Sequence, residues 1–266
     1  MKLRLLSLMI PFILYTIGCG DGAAPEKQEK SRRKKTVVTE VAVVTKVDPK
    51  VQALINKDLE ERIAVHKEKL GIEHFGLPRV EPGFPKAGCY VGSALYHPAT
   101  DAIYLMSFGD LPNNGLFSPN NDGDSTSVHI IDHELGHFYA DQLHESLGKG
   151  DWPLYPNEMT LNTPGINMIS EGIAEWFDRT INCREDAFTD TDYPEGFVNW
   201  YVHSTAVYDG GISNVIYNGG YHLVKPILDK HGAAGIEYLI THPPVSDDFS
   251  DLPGYRTKVL EVLEAK

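Results

Sequence analysis

Two histidines and a glutamate fall within five residues, HELGH, in the middle of the 266-residue chain. His133 and His137 are four residues apart, so in a helix they lie on one face and can bind one metal ion with both imidazoles. Glu134 follows the first histidine and is placed to hold a water on that metal and to take a proton from it. This HExxH spacing is typical of zinc hydrolases.

The residues around the motif are those of a buried helix. The runs 128–131 and 138–140 are mostly apolar and contain neither Gly nor Pro. Gly136 costs a helix about 1 kcal/mol relative to Ala, so we expect it to make room for a neighbouring element or for the metal. The alternative is a core helix whose histidines and glutamate are held by structural partners. We favour the metal site, because three polar residues are costly to bury without partners.

A catalytic zinc usually has three protein ligands and keeps a fourth position for water. One group of enzymes extends the helix motif with a glycine and a third histidine. Those positions here hold Ala140 and Leu143, so this type is excluded. His144 misses the required place by one residue, and we expect it at the exposed end of the helix.

A second motif lies downstream, in residues 169–177, ISEGIAEWF. Together with HELGH it resembles the gluzincin metallopeptidases, the group that includes thermolysin and the membrane alanyl aminopeptidases. The resemblance rests on these motifs, within about residues 88–232. It implies bound Zn²⁺, a peptide or protein substrate, Glu171 as the third zinc ligand, and Glu175 as a group that hydrogen-bonds a zinc histidine from behind. Alternatively, Glu175 only solvates its helix.

The connection between the two motifs is longer than in the best-known gluzincins. The pairs Trp152-Pro153, Tyr155-Pro156 and Thr163-Pro164 lie within it and predict a long surface loop. Such a loop could shape a substrate cleft.

Residues upstream of the motif predict a β-hairpin. The β-prone runs 89–96 and 102–106 are separated by the turn-rich residues 97–101. The resemblance implies that a strand here borders the cleft and pairs with the substrate backbone. An ordinary hairpin fits the sequence equally well.

The segment 217–224, YNGGYHLV, leads into residues 227–232 and is similar to the helix that follows the zinc site in many gluzincins. A tyrosine or histidine beside the zinc could donate a hydrogen bond to the oxyanion of a tetrahedral intermediate. The candidates for this catalytic role are Tyr217, Tyr221 and His222.

The N-terminus is typical of an exported protein. A basic start, residues 1–4, precedes a thirteen-residue apolar run, 5–17, which is too short for a membrane span and right for a secretory signal. The next residues, through Gly18 and Cys19, resemble the lipobox of bacterial lipoproteins. We therefore expect a signal peptide over 1–18, a lipid on Cys19 and membrane anchoring on the periplasmic or cell-surface face. Cleavage near Ala24 to a freely soluble secreted protein is the alternative.

Residues 19–47 are polar and charged and predict a flexible tether, which leaves 48–266 as the catalytic domain. In an oxidising compartment Cys89 and Cys183 could form a disulfide, and free thiols are equally compatible with the sequence. The net charge of −13 disfavours a nucleic-acid partner.

The elements that would position the site follow in a simple order. Asp48 and Pro49 predict the start of a helix that ends near Gly71. After it come the hairpin, the zinc helix, the loop, the glutamate helix and further helices. This order predicts an α+β protein with a small N-terminal β-sheet or hairpin and a mostly helical C-terminal half around an active-site cleft. The resemblance implies a zincin-like metallopeptidase fold.

The function expected from these features is zinc-dependent hydrolysis of peptide bonds by a membrane-anchored exported enzyme. Two alternatives remain open. One is a surface lipoprotein that binds a partner and keeps a structural zinc site without catalysis. The other is zinc-dependent hydrolysis of a non-peptide amide.

Overall fold

A computed structural model describes residues 49–82, 94–105, 126–150, 152–153, 163–184, 188–198, 201 and 210–266. The signal peptide, the tether and Cys19 lie outside the described residues. Across the described part, no helix combines the length and the apolar character that a membrane span requires.

Helix α1 extends from Pro49 to Leu70. It ends where Gly71 adopts a left-handed backbone conformation, with φ of +67°, as predicted from the sequence. Ile55 and Leu59 on its inner face are fully buried. Asp48, the predicted cap, lies outside the described residues.

Three short strands form one sheet: β1 (Arg79–Pro82), β2 (Ala94–His97) and β3 (Ala102–Leu105). The strand order is β1-β3-β2, with β1 parallel and β2 antiparallel to the central β3. The predicted hairpin is therefore confirmed over its described part; residues 89–93 and 106 lie outside it. Strand β1 was not predicted, because four residues ending in proline carry little β signal.

The remaining elements are helical, which confirms the α+β class with a mostly helical C-terminal half. The central helix is α3 (Thr163–Asn182), which packs between α2 (Thr126–Ser146) and α5 (Gly220–Thr241). Helix α5 is broken at Gly232, whose φ of +49° and ψ of −125° are not helical, so two helical segments meet there at a kink. The bounds are α2 (Thr126–Ser146), α3 (Thr163–Asn182), α4 (Gly210–Asn214), a π-helical segment (Val215–Gly219), α5 (Gly220–Thr241) and α6 (Leu252–Glu264).

Glycines allow these helices to approach at backbone distance. A Cβ added at Gly136 of α2 would lie 2.7 Å from the Cα of Ala174 in α3. On the other side of α3, a Cβ at Gly172 would lie 2.5 Å from the carbonyl oxygen of Gly220. The expectation that Gly136 makes room for a neighbouring element is thus confirmed. The contact brings the HELGH helix and the glutamate helix together.

A buried carboxylate fastens α1 to the two motif helices. Asp132 is fully buried and accepts hydrogen bonds from both Arg62 and His66 of α1 and from Asn182 of α3. Burial alone would raise the pKa of Asp132, but the hydrogen bonds from His66 and Arg62 hold it below its ordinary value. Asp132 precedes His133, so the network fixes the orientation of the motif helix.

We expected the connection between the motifs to be a long surface loop, but part of it is buried. Trp152 is only 2% exposed, and its main-chain N–H donates to the carboxylate of Asp141 at 2.5 Å. Thr163 and Pro164 are buried and begin helix α3. Residues 151 and 154–162 lie outside the described part of the chain.

The expectation that His144 is exposed is wrong. Its side chain is buried, its Nδ1 lies 2.6 Å from the carbonyl oxygen of Gly150, and its ring packs edge-on against Trp152. Gly148 and Gly150 adopt positive φ angles, so the chain reverses after α2 and covers the histidine.

Candidate metal centre

The structure brings together the three residues predicted as metal ligands. The Nε2 atoms of His133 and His137 are 3.2 Å apart, and Glu171 Oε2 lies 3.1 Å from the first and 3.4 Å from the second. Zinc–ligand bonds of about 2.0–2.1 Å in a tetrahedron place ligand atoms roughly 3.3–3.4 Å apart. The triangle therefore has the dimensions of one face of a tetrahedral zinc site, and the three residues could hold a metal ion.

The outer nitrogens of both imidazoles are held by α3. His133 Nδ1 lies 3.2 Å from Glu175 Oε1, and His137 Nδ1 lies 3.0 Å from the hydroxyl oxygen of Ser170. A carboxylate only accepts hydrogen bonds, so the contact with Glu175 requires a proton on His133 Nδ1. With a metal ion bound, Nε2 would be the nitrogen left to coordinate it. Glu175 thus takes the position that the sequence suggested for it.

The charges at the centre favour a bound cation. Burial disfavours the charged form of His133, yet the carboxylates of Glu171, Glu175 and Glu134 raise its pKa well above the ordinary value. Burial would raise the pKa of Glu171, but the two histidines lower it strongly. A buried group of carboxylates is costly unless a positive charge compensates for it. A divalent metal ion would supply that charge.

Glu134 lies beside the ligand triangle and faces the sheet. It is 7% exposed, and its Oε2 accepts a hydrogen bond of 2.6 Å from the main-chain N–H of Tyr96. Tyr96 belongs to β2, which is one of the two edge strands of the sheet within the described residues. The Glu134 carboxylate is therefore oriented by the sheet through Oε2.

The side chain of Tyr96 fastens the same strand to α2. Its hydroxyl donates to Asp141 Oδ2 at 2.6 Å, and Asp141 is fully buried. Burial, followed by the Asp141 carboxylate, raises the pKa of the Tyr96 phenol. Tyr96 thus holds β2 against α2 at two points, its amide at Glu134 and its hydroxyl at Asp141.

The three predicted oxyanion groups have different surroundings. The ring of Tyr217, in the π-helical segment, stacks on that of His133 with centroids 5.8 Å apart and planes at 15°. Tyr221 is buried, with the guanidinium of Arg179 4.7 Å from its ring centre. His222 Nε2 lies 2.9 Å from Asp190 Oδ1. Tyr217 therefore contacts His133, one of the three candidate metal ligands.

π-Helical turns are rare and are often found at functional sites. Here the turn places the ring of Tyr217 on that of His133, a candidate metal ligand. The sequence does not predict the π-helical turn, because the pattern YNGGYHLV is also compatible with a regular α-helix.

Sequence reasoning missed several residues that support the centre. Ser170 immediately precedes the predicted ligand, and Arg179 follows Glu175 by four residues, so both lay within reach of the spacing argument. The contribution of Tyr96 comes from its main chain, for which the sequence has no signal.

The predicted disulfide partner Cys89 lies outside the described residues. Cys183 is exposed just after α3 and has a positive φ of 53°.

Comparison of the chain with protein-family models, with curated proteins and with solved structures yields no match.

Proposed function

We propose that this protein is a zinc-dependent metallopeptidase of the gluzincin type, with a zincin-like fold. The observation that carries the proposal is the triangle formed by two imidazole nitrogens and the Glu171 oxygen, with edges of 3.1–3.4 Å. Glu134, which a purely structural zinc site does not need, lies beside it.

His133, His137 and Glu171 would hold the zinc. When bound, the ion polarises a carbonyl and lowers the pKa of water towards neutrality. Glu134 accepts a proton from the attacking water and delivers it to the nitrogen of the departing amine. The Tyr96 amide, which donates to Glu134 Oε2, would hold the carboxylate in one orientation during both transfers.

Tyr217 is our candidate for the group that donates a hydrogen bond to the oxygen of the scissile carbonyl as negative charge develops on it. Its ring is already fixed against His133. The hydroxyl of a tyrosine held in this way is ordered before the reaction, which is the condition under which such donors are most effective.

An extended peptide is the substrate that the neighbouring elements favour. In the part of the chain that the structure describes, strand β2 is an edge of the sheet and contacts the candidate base through Tyr96. An edge strand can align a peptide backbone by main-chain hydrogen bonds, which suits a substrate without a fixed sequence. This supports a peptide over a non-peptide amide.

We also propose that the enzyme is exported and anchored to a membrane through Cys19. The support is in the sequence alone: the basic start, the short apolar run and the lipobox-like residues before Cys19. The catalytic domain would then act at the periplasmic or cell-surface face.

Two variants test the proposal. Glu134→Gln should bind one zinc per chain and lose hydrolysis of a mixed peptide library, because only the base is removed. His137→Ala should lose both zinc and hydrolysis. Metal content is measured by elemental analysis and cleavage by mass spectrometry. Retained cleavage in Glu134→Gln would refute the assigned base, whereas zinc binding without cleavage in the unmodified protein would favour a structural site.

A further inference from the structure

Arg179 is a buried cation behind the metal centre that the proposed chemistry does not use. It lies on α3 four residues after Glu175 and eight after Glu171, so the three share one face of the helix. Its side chain is buried, and its Nε donates to Glu175 Oε2. The other oxygen of that carboxylate faces His133 Nδ1. Arg179 therefore fixes the group that orients a metal ligand.

The opposite side of the same guanidinium reaches the π-helical segment. Its Nη2 donates to Asn218 Oδ1 at 2.5 Å, and its carbon lies over the ring of Tyr221 at 4.7 Å. Asn218 follows Tyr217, whose ring stacks on His133. Arg179 thus contacts both groups that pack around His133. One is the carboxylate of Glu175, and the other is the π-helical turn that places the Tyr217 ring against the imidazole.

We propose that Arg179 is a positioning residue that couples the geometry of the metal ligand His133 to the placement of Tyr217. This inference rests on the proposed function, since it assigns Arg179 to the same metal centre. Through Glu175 it sets the orientation of the imidazole, and through Asn218 it sets the π-helical turn.

The chemistry of arginine suits this role better than that of lysine. A guanidinium offers five N–H donors in a rigid plane, so it can hold two acceptors at a fixed angle and also stack on an aromatic ring. An ammonium is a point charge on a flexible stem and can replace the contact with Glu175 without fixing Asn218. A structural ion pair would need only the charge, so Arg179→Lys separates the two roles.

Metal affinity and the visible absorption of bound Co²⁺ test the proposal without relying on activity. Zinc dissociation constants are measured by competition with a chelator. Loss of the group that hydrogen-bonds a metal ligand directly costs about 10- to 100-fold in affinity. Arg179 is one contact further out, so Arg179→Met should raise the zinc dissociation constant by about tenfold, the low end of that range, and should shift the Co²⁺ bands. Arg179→Lys should raise the constant less but still shift the bands. Asn218→Ala, which leaves Glu175 paired, should shift the Co²⁺ bands with at most a tenfold loss of affinity.

A double variant and a matched control sharpen the result. Because Arg179 acts through Glu175 on affinity, Arg179→Met in a Glu175→Gln background should change the zinc dissociation constant by less than threefold. Arg184→Met removes the same charge from the next arginine along the chain, which pairs with Asp178, and should leave affinity and spectrum unchanged.

Each outcome decides a different claim. If Arg179→Met keeps the zinc affinity within threefold and the Co²⁺ spectrum unchanged, the positioning role is refuted. If Asn218→Ala leaves the spectrum unchanged, the coupling to the π-helical segment is refuted. If the unmodified protein binds metal but cleaves no peptide, the proposed function fails while the metal measurements still decide the role of Arg179. If it binds no metal, both fail.

Discussion

The contact between Gly136 and α3 gives a quantitative prediction about the metal centre. Gly136→Ala would place a Cβ 2.7 Å from the Cα of Ala174 and 3.2 Å from a ring carbon of Phe177. Carbon atoms in contact are about 3.5–4.0 Å apart, so the two helices would have to separate by roughly 0.8 Å or more. The obstructing Cα belongs to the backbone, so a change of side-chain rotamer cannot relieve the clash.

The separation should affect metal binding more than folding. Overpacking costs about 1–3 kcal/mol, and alanine returns about 1 kcal/mol through its better helix propensity, so the apo protein should lose at most about 2 kcal/mol. Gly136 precedes the proposed ligand His137, and Ala174 lies three residues after the proposed ligand Glu171, so separating the two helices moves these ligands apart. Metal–ligand distances in zinc sites vary by only about 0.2 Å. We expect the zinc dissociation constant to rise at least about tenfold.

The assay is thermal or urea unfolding with and without zinc. A tenfold loss of affinity reduces the stabilisation by saturating zinc by about 1.4 kcal/mol. Gly235→Ala is the control, because the two nearest atoms outside its own helical turn are movable side-chain carbons, Leu228 Cδ2 at 3.1 Å and Ile227 Cγ2 at 3.2 Å from the Cβ position. A Gly136→Ala protein that is more stable than the original and binds zinc equally well would refute the close packing of α2 and α3.

Two further predictions concern a tyrosine and a buried histidine. Tyr217→Phe keeps the ring against His133 and removes the hydroxyl, so kcat for peptide cleavage should fall about 10²–10³-fold at unchanged zinc affinity. Tyr221→Phe and His222→Gln should change kcat little. An equal loss of kcat in all three variants would contradict the assignment of Tyr217. The pKa of His74 is lowered to about 3 in the folded protein, chiefly by burial. In the unfolded chain its pKa is the ordinary value of about 6.5, so below pH 6.5 the unfolded chain binds more protons than the folded one. The free energy of unfolding should therefore decline as pH falls from 6.5 towards 3, and this group should account for up to about 2 kcal/mol of the loss at pH 5. In urea unfolding, His74→Gln should show a flatter decline with pH than the original protein. Parallel pH curves for the two proteins would contradict this explanation.

Local patterns predicted the parts of the site that depend on local geometry. The four-residue spacing in HELGH and between Glu171 and Glu175 places side chains on one helix face wherever the helix lies. Pro49 and Gly71 mark the ends of α1 because their backbone preferences are intrinsic to those residues.

Features that depend on contacts between distant segments could not be predicted in this way. The burial of Trp152 and His144 follows from a chain reversal that brings them together. Strand β1 exists because β3 offers it a parallel edge, and its own four residues carry little signal. The orientation of Glu134 by the Tyr96 amide involves a main-chain donor, which any residue but proline supplies.

The central claim is that His133, His137 and Glu171 bind one zinc ion, and anomalous diffraction from zinc-loaded crystals tests it most directly. Data collected above and below the zinc absorption edge should show one strong peak per chain, about 2.0–2.2 Å from both Nε2 atoms and a Glu171 oxygen. The absence of a peak there, or a peak at the two histidines with Glu171 beyond bonding distance and no other carboxylate or imidazole in its place, would contradict the account.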